Sequence, residues 1–198
     1  GQVSASDDTT SSSTSTSKDS TRTLAVIESD AKSVEKSVAA LQETGDKSLF
    51  NEVTKTDENG NKTTGYDTDA IYKAVKNFTD SYNSLIDEVG NSNTKSILRA
   101  GASMVNVTEA NRKSLSDIGI SIGADNKLTI DEEKFKKTDM SKVKAMFADS
   151  SYYGTEVKRQ AGRAESYAKS EAAKANTYQK SGSYTYNYRT GELYNSTI

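Results

Sequence analysis

Residues 24–41 read LAVIESDAKSVEKSVAAL, and the spacing of the apolar residues in this stretch decides the fold class. Steps of three and four residues alternate, which places one narrow apolar stripe along an α-helix. Such a seam packs against other helices, and intramolecular and intermolecular packing are both open at this point. Gly45 is a stop signal shortly beyond it. The seam residues are Leu24, Ile27, Ala31, Val34, Val38 and Leu41.

Two further segments repeat this helical spacing. The first begins at Asp67 or Thr68, either of which can cap a helix, and ends at Gly90. Its predicted inward residues are Ile71, Val75, Phe78, Tyr82, Leu85, Ile86 and Val89. The second follows residues 91–93 and ends before Leu115, with small residues at 100–102 that allow a neighbouring backbone to come close. Its predicted inward residues are Ile97, Leu98, Gly101, Met104, Val105 and Thr108.

A long final helix is predicted from Tyr153 to Tyr178, with mostly alanine along its seam. An alanine seam packs tightly but removes less apolar area from water than a leucine seam. The helix therefore needs a close partner. Its seam residues are Tyr153, Val157, Ala161, Ala164, Ala168, Ala172, Ala175 and Tyr178.

Two short segments favour β structure. Asn59-Gly60 is a turn signal, so residues 51–66 form a small hairpin or an exposed loop. Ile118, Ile120 and Ile122 alternate before a turn at 123–126, and Leu128 and Ile130 alternate on the return, which predicts a second hairpin. Asp131 then looks like an N-cap for a helix with Phe135 inward. Another turn at 139–141 leads to a short helix that buries Val143, Met146 and Phe147.

These elements predict a mainly α fold of the α+β type. We expect an elongated antiparallel helical bundle or coiled coil over residues 23–180, with the small β-hairpin subdomain near 118–130. Residues 1–22 are rich in Ser and Thr with little to bury, which predicts a disordered leader. Residues 181–198 are predicted to form a Tyr-rich C-terminal strand or tail.

The composition excludes most kinds of catalytic site. The 198 residues include no His and no Cys, so the usual general base, the thiolate nucleophile and the common zinc ligands are missing. We therefore expect no enzyme activity, no cofactor and no metal. Lys and Arg number 26 against 28 Asp and Glu, mixed along the chain, which disfavours nucleic acid as a partner. No stretch is apolar enough for a membrane span, so we expect a soluble chain.

Two acidic clusters are conceivable as sites for chemistry or a metal. Asp131, Glu132 and Glu133 could serve a hydrolase, but acids in this position are much more often an N-cap and first-turn charges that favour the helix dipole. The run from Asp57 to Asn61 suggests calcium superficially, but it lacks the twelve-position loop pattern with its terminal Glu. Neither cluster is a favoured site.

Residues 71–147 resemble the C-terminal region of the flagellar filament-capping family, also called flagellar hook-associated protein 2. The segment 75–86, VKNFTDSYNSLI, is similar to a Phe-x-x-x-Tyr-Asn-x-Leu motif of that family. The segment 115–120, LSDIGI, followed by LTID at 128–131, resembles its Leu-x-x-Ile-Gly-Ile, turn, Leu-x-Leu-Asp motif. Phe135, Val143 and Phe147 fall where the family has further apolar residues. The Asn126-Lys127 pair departs from the family, which has a glycine before the Leu of its second motif.

The resemblance implies a structural protein of the flagellum, extracellular, that associates with itself, with flagellin or with hook-associated proteins. The alternative function is a stand-alone adhesion or protein-interaction module that uses the Tyr-rich C-terminus, and the alternative location is the cytoplasm. The candidate contact residues fall in the first seam, the alanine seam and the Tyr-rich end. They are Leu24, Ile27, Val34, Val38, Leu41, Ala161, Ala164, Ala168, Ala175, Tyr184, Tyr186 and Tyr188.

Overall fold

The computed structural model describes the backbone of residues 17–182 and the side chains as far as residue 174. In this part the chain forms seven α-helices and two antiparallel β-hairpins, which confirms the mainly α class. The helices are α1 (Thr21–Leu41), α2 (Thr68–Val89), α3 (Lys95–Ala110), α4 (Arg112–Asp117), α5 (Glu132–Lys137), α6 (Met140–Phe147) and α7 (Tyr152–Gly182). The strands are β1 (Glu52–Thr56), β2 (Lys62–Tyr66), β3 (Ile120–Ile122) and β4 (Leu128–Ile130).

The four long helices form an antiparallel bundle. Helix α1 packs against α2 and α7, and α3 packs against α7 and α2. The direction of α7 relative to α1 follows from two contacts. Gln42, after the end of α1, donates to Thr155 Oγ1 at 3.1 Å, whereas Lys32 in the middle of α1 lies 3.8 Å from Glu165. The bundle is as predicted, while coiled-coil geometry stays a prediction.

Helix α1 forms as its spacing predicts. The Ser20 hydroxyl accepts a hydrogen bond from the Thr23 N–H at 3.0 Å and so caps the first turn. All six seam residues are buried. The helix ends at Leu41, and Gly45, with a φ of +66°, begins a single 3-10 turn after it.

The folded part begins earlier than the sequence predicted, because Asp19 is anchored to the α2–α3 connection. Its carboxylate is 7% exposed and accepts hydrogen bonds from Ser92 Oγ at 2.6 Å, Thr94 Oγ1 at 2.7 Å and the Asn93 N–H. Burial opposes ionisation, yet these donors together hold the pKa of Asp19 below its ordinary value. The predicted boundary after residue 22 thus falls inside α1, and residues 1–16 of the predicted leader lie outside the described residues.

The predicted limits and inward face of helix α2 are confirmed. The Asp67 side chain accepts from the Ala70 N–H at 3.2 Å, and Gly90 ends the helix. Ile86 is only partly buried, because the other apolar residues of the stripe already face the core. The buried stripe residues are Ile71, Val75, Phe78, Tyr82, Leu85 and Val89.

Helix α3 buries four of its six predicted inward residues, Ile97, Gly101, Met104 and Thr108. The other two differ: Leu98 is 40% exposed and Val105 is half-buried, while Ala100 and Val107 are buried. Gly101 lets α2 come close, since a Cβ there would lie 2.5 Å from the Val89 side chain. Helix α4 was not predicted, and it includes Leu115 as a buried residue.

In the first hairpin β1 is exposed throughout, whereas Gly65 and Tyr66 at the end of β2 are partly buried. Its turn has Gly60 at a φ of +84°, and the Asp57 carboxylate accepts from the N–H groups of Asn59 and Asn61 at 2.9 and 2.8 Å. This carboxylate stabilises the turn. Of the two structures predicted for this segment, the hairpin is the one that forms.

The second hairpin packs on α2 through buried apolar residues, the Lys127–Asp87 ion pair and the side chain of Asn83. Strands β3 and β4 pair Ile120 with Ile130, as the alternation predicted, whereas Ile118 ends α4 instead of joining the strand. The Asn83 side chain donates to the Leu128 carbonyl at 2.8 Å and accepts from the Leu128 N–H at 2.7 Å. The predicted cap Asp131 precedes α5, and Asp139, in the predicted turn, caps α6, in which Val143, Met146 and Phe147 are buried.

We expect Asn83→Ala to lower the free energy of unfolding by about 1–3 kcal/mol, because it leaves two backbone groups of Leu128 without partners. Urea denaturation followed by circular dichroism measures the change. Asn106→Ala, on the exposed side of α3, is the matched control and should change stability much less. Equal effects of the two variants would contradict the role of Asn83.

Candidate assembly surface

The apolar seam of α1 lies inside the chain. Each of its candidate contact residues is at most 1% exposed, and all belong to the core formed with α2 and α7. The spacing places them on one side of the helix, and the two neighbouring helices cover that side. In this fold the residues contact their own chain: Leu24, Ile27, Val34, Val38 and Leu41.

The alanine seam of α7 is covered in the same way. Ala161, Ala164 and Ala168 are 0% exposed, and α7 packs on α1 and α3. Ala172 is partly buried against the same core, whereas the side chain of Ala175 lies outside the described residues. Alanine lets the helices approach closely, so the seam acts as an internal contact.

The Tyr-rich candidates cannot be placed in the fold. Tyr184, Tyr186 and Tyr188 lie outside the described residues, which end at Gly182.

Two carboxyl groups meet at the edge of the α1–α7 contact. Glu35 of α1 forms a hydrogen bond with Glu165 of α7, while its buried Oε1 has no hydrogen-bond partner among the described residues. The pKa of Glu35 is raised to about 7, chiefly by burial and then by the hydrogen bond and charge of Glu165. The charges of Lys158 and Lys169 oppose this rise.

Glu165 holds the charge of this pair. Its pKa is lowered most by the hydrogen bond from Glu35 and next by the hydrogen bond from Lys169. Lys169 Nζ lies 2.7 Å and Lys32 Nζ lies 3.8 Å from Glu165 Oε1. As pH falls below about 7, the two carboxyls therefore come to share one proton, with Glu35 as its donor. Sequence alone could not pair them, because they stand on helices far apart in the chain.

Four aromatic residues of the core, Phe78, Tyr82, Phe147 and Tyr153, form a cluster near the Thr108 hydroxyl. The Phe78 ring centroid lies 5.1 Å from that of Phe147 and 6.1 Å from that of Tyr153. Thr108 Oγ1 is 2.9 Å from Tyr82 Oη and 3.0 Å from Tyr153 Oη. Burial raises the pKa of Tyr82 to about 12 and raises that of Tyr153 as well. The phenols stay neutral, and the cluster joins α2, α3, α6 and α7.

The acidic cluster after the second hairpin serves the fold of α5. Asp131 accepts from the Lys134 N–H at 2.9 Å, while Glu132 and Glu133 pair with lysines one turn further on at 2.6 and 2.8 Å. The three carboxylates stand on consecutive residues, and hydrolysis by paired carboxylates needs two acids facing each other across a substrate. The arrangement is that of an N-cap with first-turn ion pairs.

The outer sides of α3 and α7 carry most of the exposed large apolar side chains of the described residues. Tyr152 is 72% exposed, Leu98 40% and Tyr167 37%; Val53 of β1, at 37%, lies elsewhere. A cleft of about 260 Å³ separates these two helices, with Tyr167 and two arginines in its lining. We call this the α3–α7 cleft. Sequence reasoning missed it, because Leu98 was predicted to face inward and the arginines have no distinctive spacing.

Two kinds of site are not found in the part of the chain that is described. None of its helices combines the length and apolar character that crossing a membrane requires. Within the same part, no three His, Cys, Asp or Glu residues are grouped so that they could hold a metal ion.

Comparison with protein families gives one match. The family model described as flagellar hook-associated protein 2 C-terminus matches residues 91–197, which confirms the resemblance drawn from the sequence. The match includes the LSDIGI and LTID segments and begins after the segment 75–86. Neither curated proteins nor solved structures give a match.

We expect Glu35→Gln to weaken the pH dependence of stability near neutrality. Folding raises the pKa of Glu35 from 4.5 to about 7, so between these values the folded chain holds a proton that the unfolded chain has released. The free energy of unfolding therefore falls as pH rises through this window. Glu165, whose pKa is lowered, acts in the opposite sense at more acidic pH.

Thermal unfolding at pH 5 and pH 8 measures the effect. The Glu35–Glu165 pair should lower the wild-type Tm by a few degrees between pH 5 and pH 8. Glu35→Gln should remove most of this decrease, because the Gln amide stays neutral and can still donate a hydrogen bond to Glu165. Glu43→Gln, at an exposed acid beyond the end of α1, is the control. An unchanged slope in Glu35→Gln would contradict the shared proton.

Proposed function

Because the chain belongs to the family of the flagellar hook-associated protein 2 C-terminus, we propose that it assembles through its helices as a structural protein of the flagellar filament cap. The observation that carries this proposal is the family match, which spans more than half of the chain. The family is a structural one. The partners are further copies of the chain, flagellin or hook-associated proteins, and the location is the filament tip outside the cell.

The outer faces of α3 and α7 are the proposed contact surface. Both helices lie within the matched residues, and they carry the exposed side chains of Leu98, Tyr152 and Tyr167. Tyrosine is enriched at protein interfaces because it offers a large apolar area and a polar tip. The seams of α1 and α7 are already occupied inside the chain, so changing them would test folding more than assembly.

The Tyr-rich end is proposed as a second contact element. Tyr184, Tyr186 and Tyr188 fall within the matched residues, so they belong to the same family region as α3 and α7. Alternating tyrosines are suited to a strand that adds to a partner surface.

We expect Tyr152→Ala to weaken association of the full chain severalfold, because truncating an exposed aromatic contact removes apolar area from an interface without opening the core. Light scattering over a concentration series measures self-association, and pull-down with flagellin or hook-associated proteins measures partner binding. Tyr186→Ala with Tyr188→Ala tests the second element in the same assays.

Val53→Ala is the matched control, since Val53 is an exposed apolar residue on β1 outside the proposed surface. The Tm of Tyr152→Ala and Val53→Ala should match that of the wild type. A wild-type chain that stays monomeric and captures none of these partners would overturn the proposal.

A further inference from the structure

The α3–α7 cleft has the chemistry of an anion site. Two arginines line it, one from each helix, together with neutral side chains that can donate hydrogen bonds. Guanidinium groups keep their charge at all ordinary pH values and bind carboxylates through two parallel hydrogen bonds. The polar lining residues are Ser96, Arg99, Ser103, Gln160, Arg163 and Tyr167.

The two cleft arginines differ from other arginines of the fold. Arg112 binds Glu109 and Arg159 binds Glu156 through two hydrogen bonds each, on their own helices. Arg99 and Arg163 form no ion pair within 4.0 Å with any side chain described between residues 17 and 174. The cleft therefore holds two positive charges that the described part of the chain leaves without a direct partner.

Glu156 of α7, which feels the charge of Arg163, is already engaged. The charge of Arg163 contributes to lowering the pKa of Glu156, but only after the hydrogen bonds from Arg159 and Gln160. Gln160 is 4% exposed, and its amide nitrogen donates to Glu156 at 2.9 Å, which holds it in place at the base of the cleft. Glu156 thus has its own partners, and the cleft arginines stay open to a ligand.

The walls of the cleft are held rigidly. Thr108 of α3 and Tyr153 of α7 join the two helices at 3.0 Å, and buried Ala100 and Ala164 let them pack closely. A site on packed helices keeps its donors in position before a ligand arrives, which lowers the entropy lost on binding.

We propose that the α3–α7 cleft binds an Asp or Glu side chain from an acidic segment of a partner protein chain, with Arg99 and Arg163 as the two carboxylate ligands. The exposed ring of Tyr167 in the cleft and the exposed Leu98 beside Arg99 favour a protein partner over a free anion, because they offer apolar area for it to cover. The proposal rests on the proposed function, since it names a contact by which the chain would join its assembly.

Nuclear magnetic resonance of the full chain, labelled with nitrogen-15, tests the cleft directly. The probe is an acetylated and amidated hexaglutamate peptide, added at a protein concentration where light scattering shows a single species. The side-chain Nε–H signals of Arg99 and Arg163 should shift and saturate. Those of Arg112 and Arg159 should stay in place, because their donors are already bound.

The double variant Arg99→Gln, Arg163→Gln should bind the peptide with an affinity lowered on the order of tenfold or more, because two charge-assisted contacts are lost. Arg112→Gln is the control and should bind as the wild type does. The wild-type titration reads the site even if the double variant is poorly folded. Cleft binding without assembly would leave this inference standing and remove the proposed function.

Three results would overturn the inference. The first is no shift at either cleft arginine, and the second is an equal shift at all arginines, which marks unspecific charge attraction. The third is the same response to acetate at an equal carboxylate concentration, which marks a site for free anions. A hexaserine peptide of the same length checks that the response needs carboxylates.

Discussion

The bundle depends on the contact of α7 with α1 and α3, which is made mainly through alanine. Ala161, Ala164 and Ala168 are fully buried although each offers little apolar area. The larger residues opposite them, such as the leucines and valines of α1, supply most of the area removed from water, and the small alanine side chains let them come near enough. Without α7, one side of α1 and one side of α3 would lie open to water.

The remaining elements join this bundle through buried apolar residues and through specific polar contacts. Asp19 fastens the chain before α1 to the connection between α2 and α3, and Asn83 fastens the second hairpin to α2. In each case a side chain forms hydrogen bonds with backbone groups that lack a backbone partner, because buried polar groups need hydrogen-bond partners. The small β unit, with the short helices that follow it, thereby lies against the end of the aromatic cluster, where Phe147 meets Phe78.

The sequence predicted the elements whose signals are local. Helices α1, α2 and α6 have regular apolar spacing and recognisable caps, and β3 and β4 have clear alternation, so their positions followed from the chain itself. The face of α3 was right for Ile97, Gly101, Met104 and Thr108, but apolar spacing did not distinguish the exposed Leu98 from the buried Ala100 and Val107. Asp19 was missed because its partners are 73 to 75 residues away, and the α3–α7 cleft exists only once two distant helices meet.

The pairing of the first described helix with the last joins residues far apart in the chain. Gln42 and Thr155 are 113 residues apart, so α7 reaches α1 only after almost all of the intervening chain has left the ribosome. Until then a newly made chain has α2 alone to cover part of the α1 seam, and long-range closure of this kind is slow. A chain whose synthesis stops before residue 152 would present that seam to chaperones and proteases, so quality control acts on the truncated product.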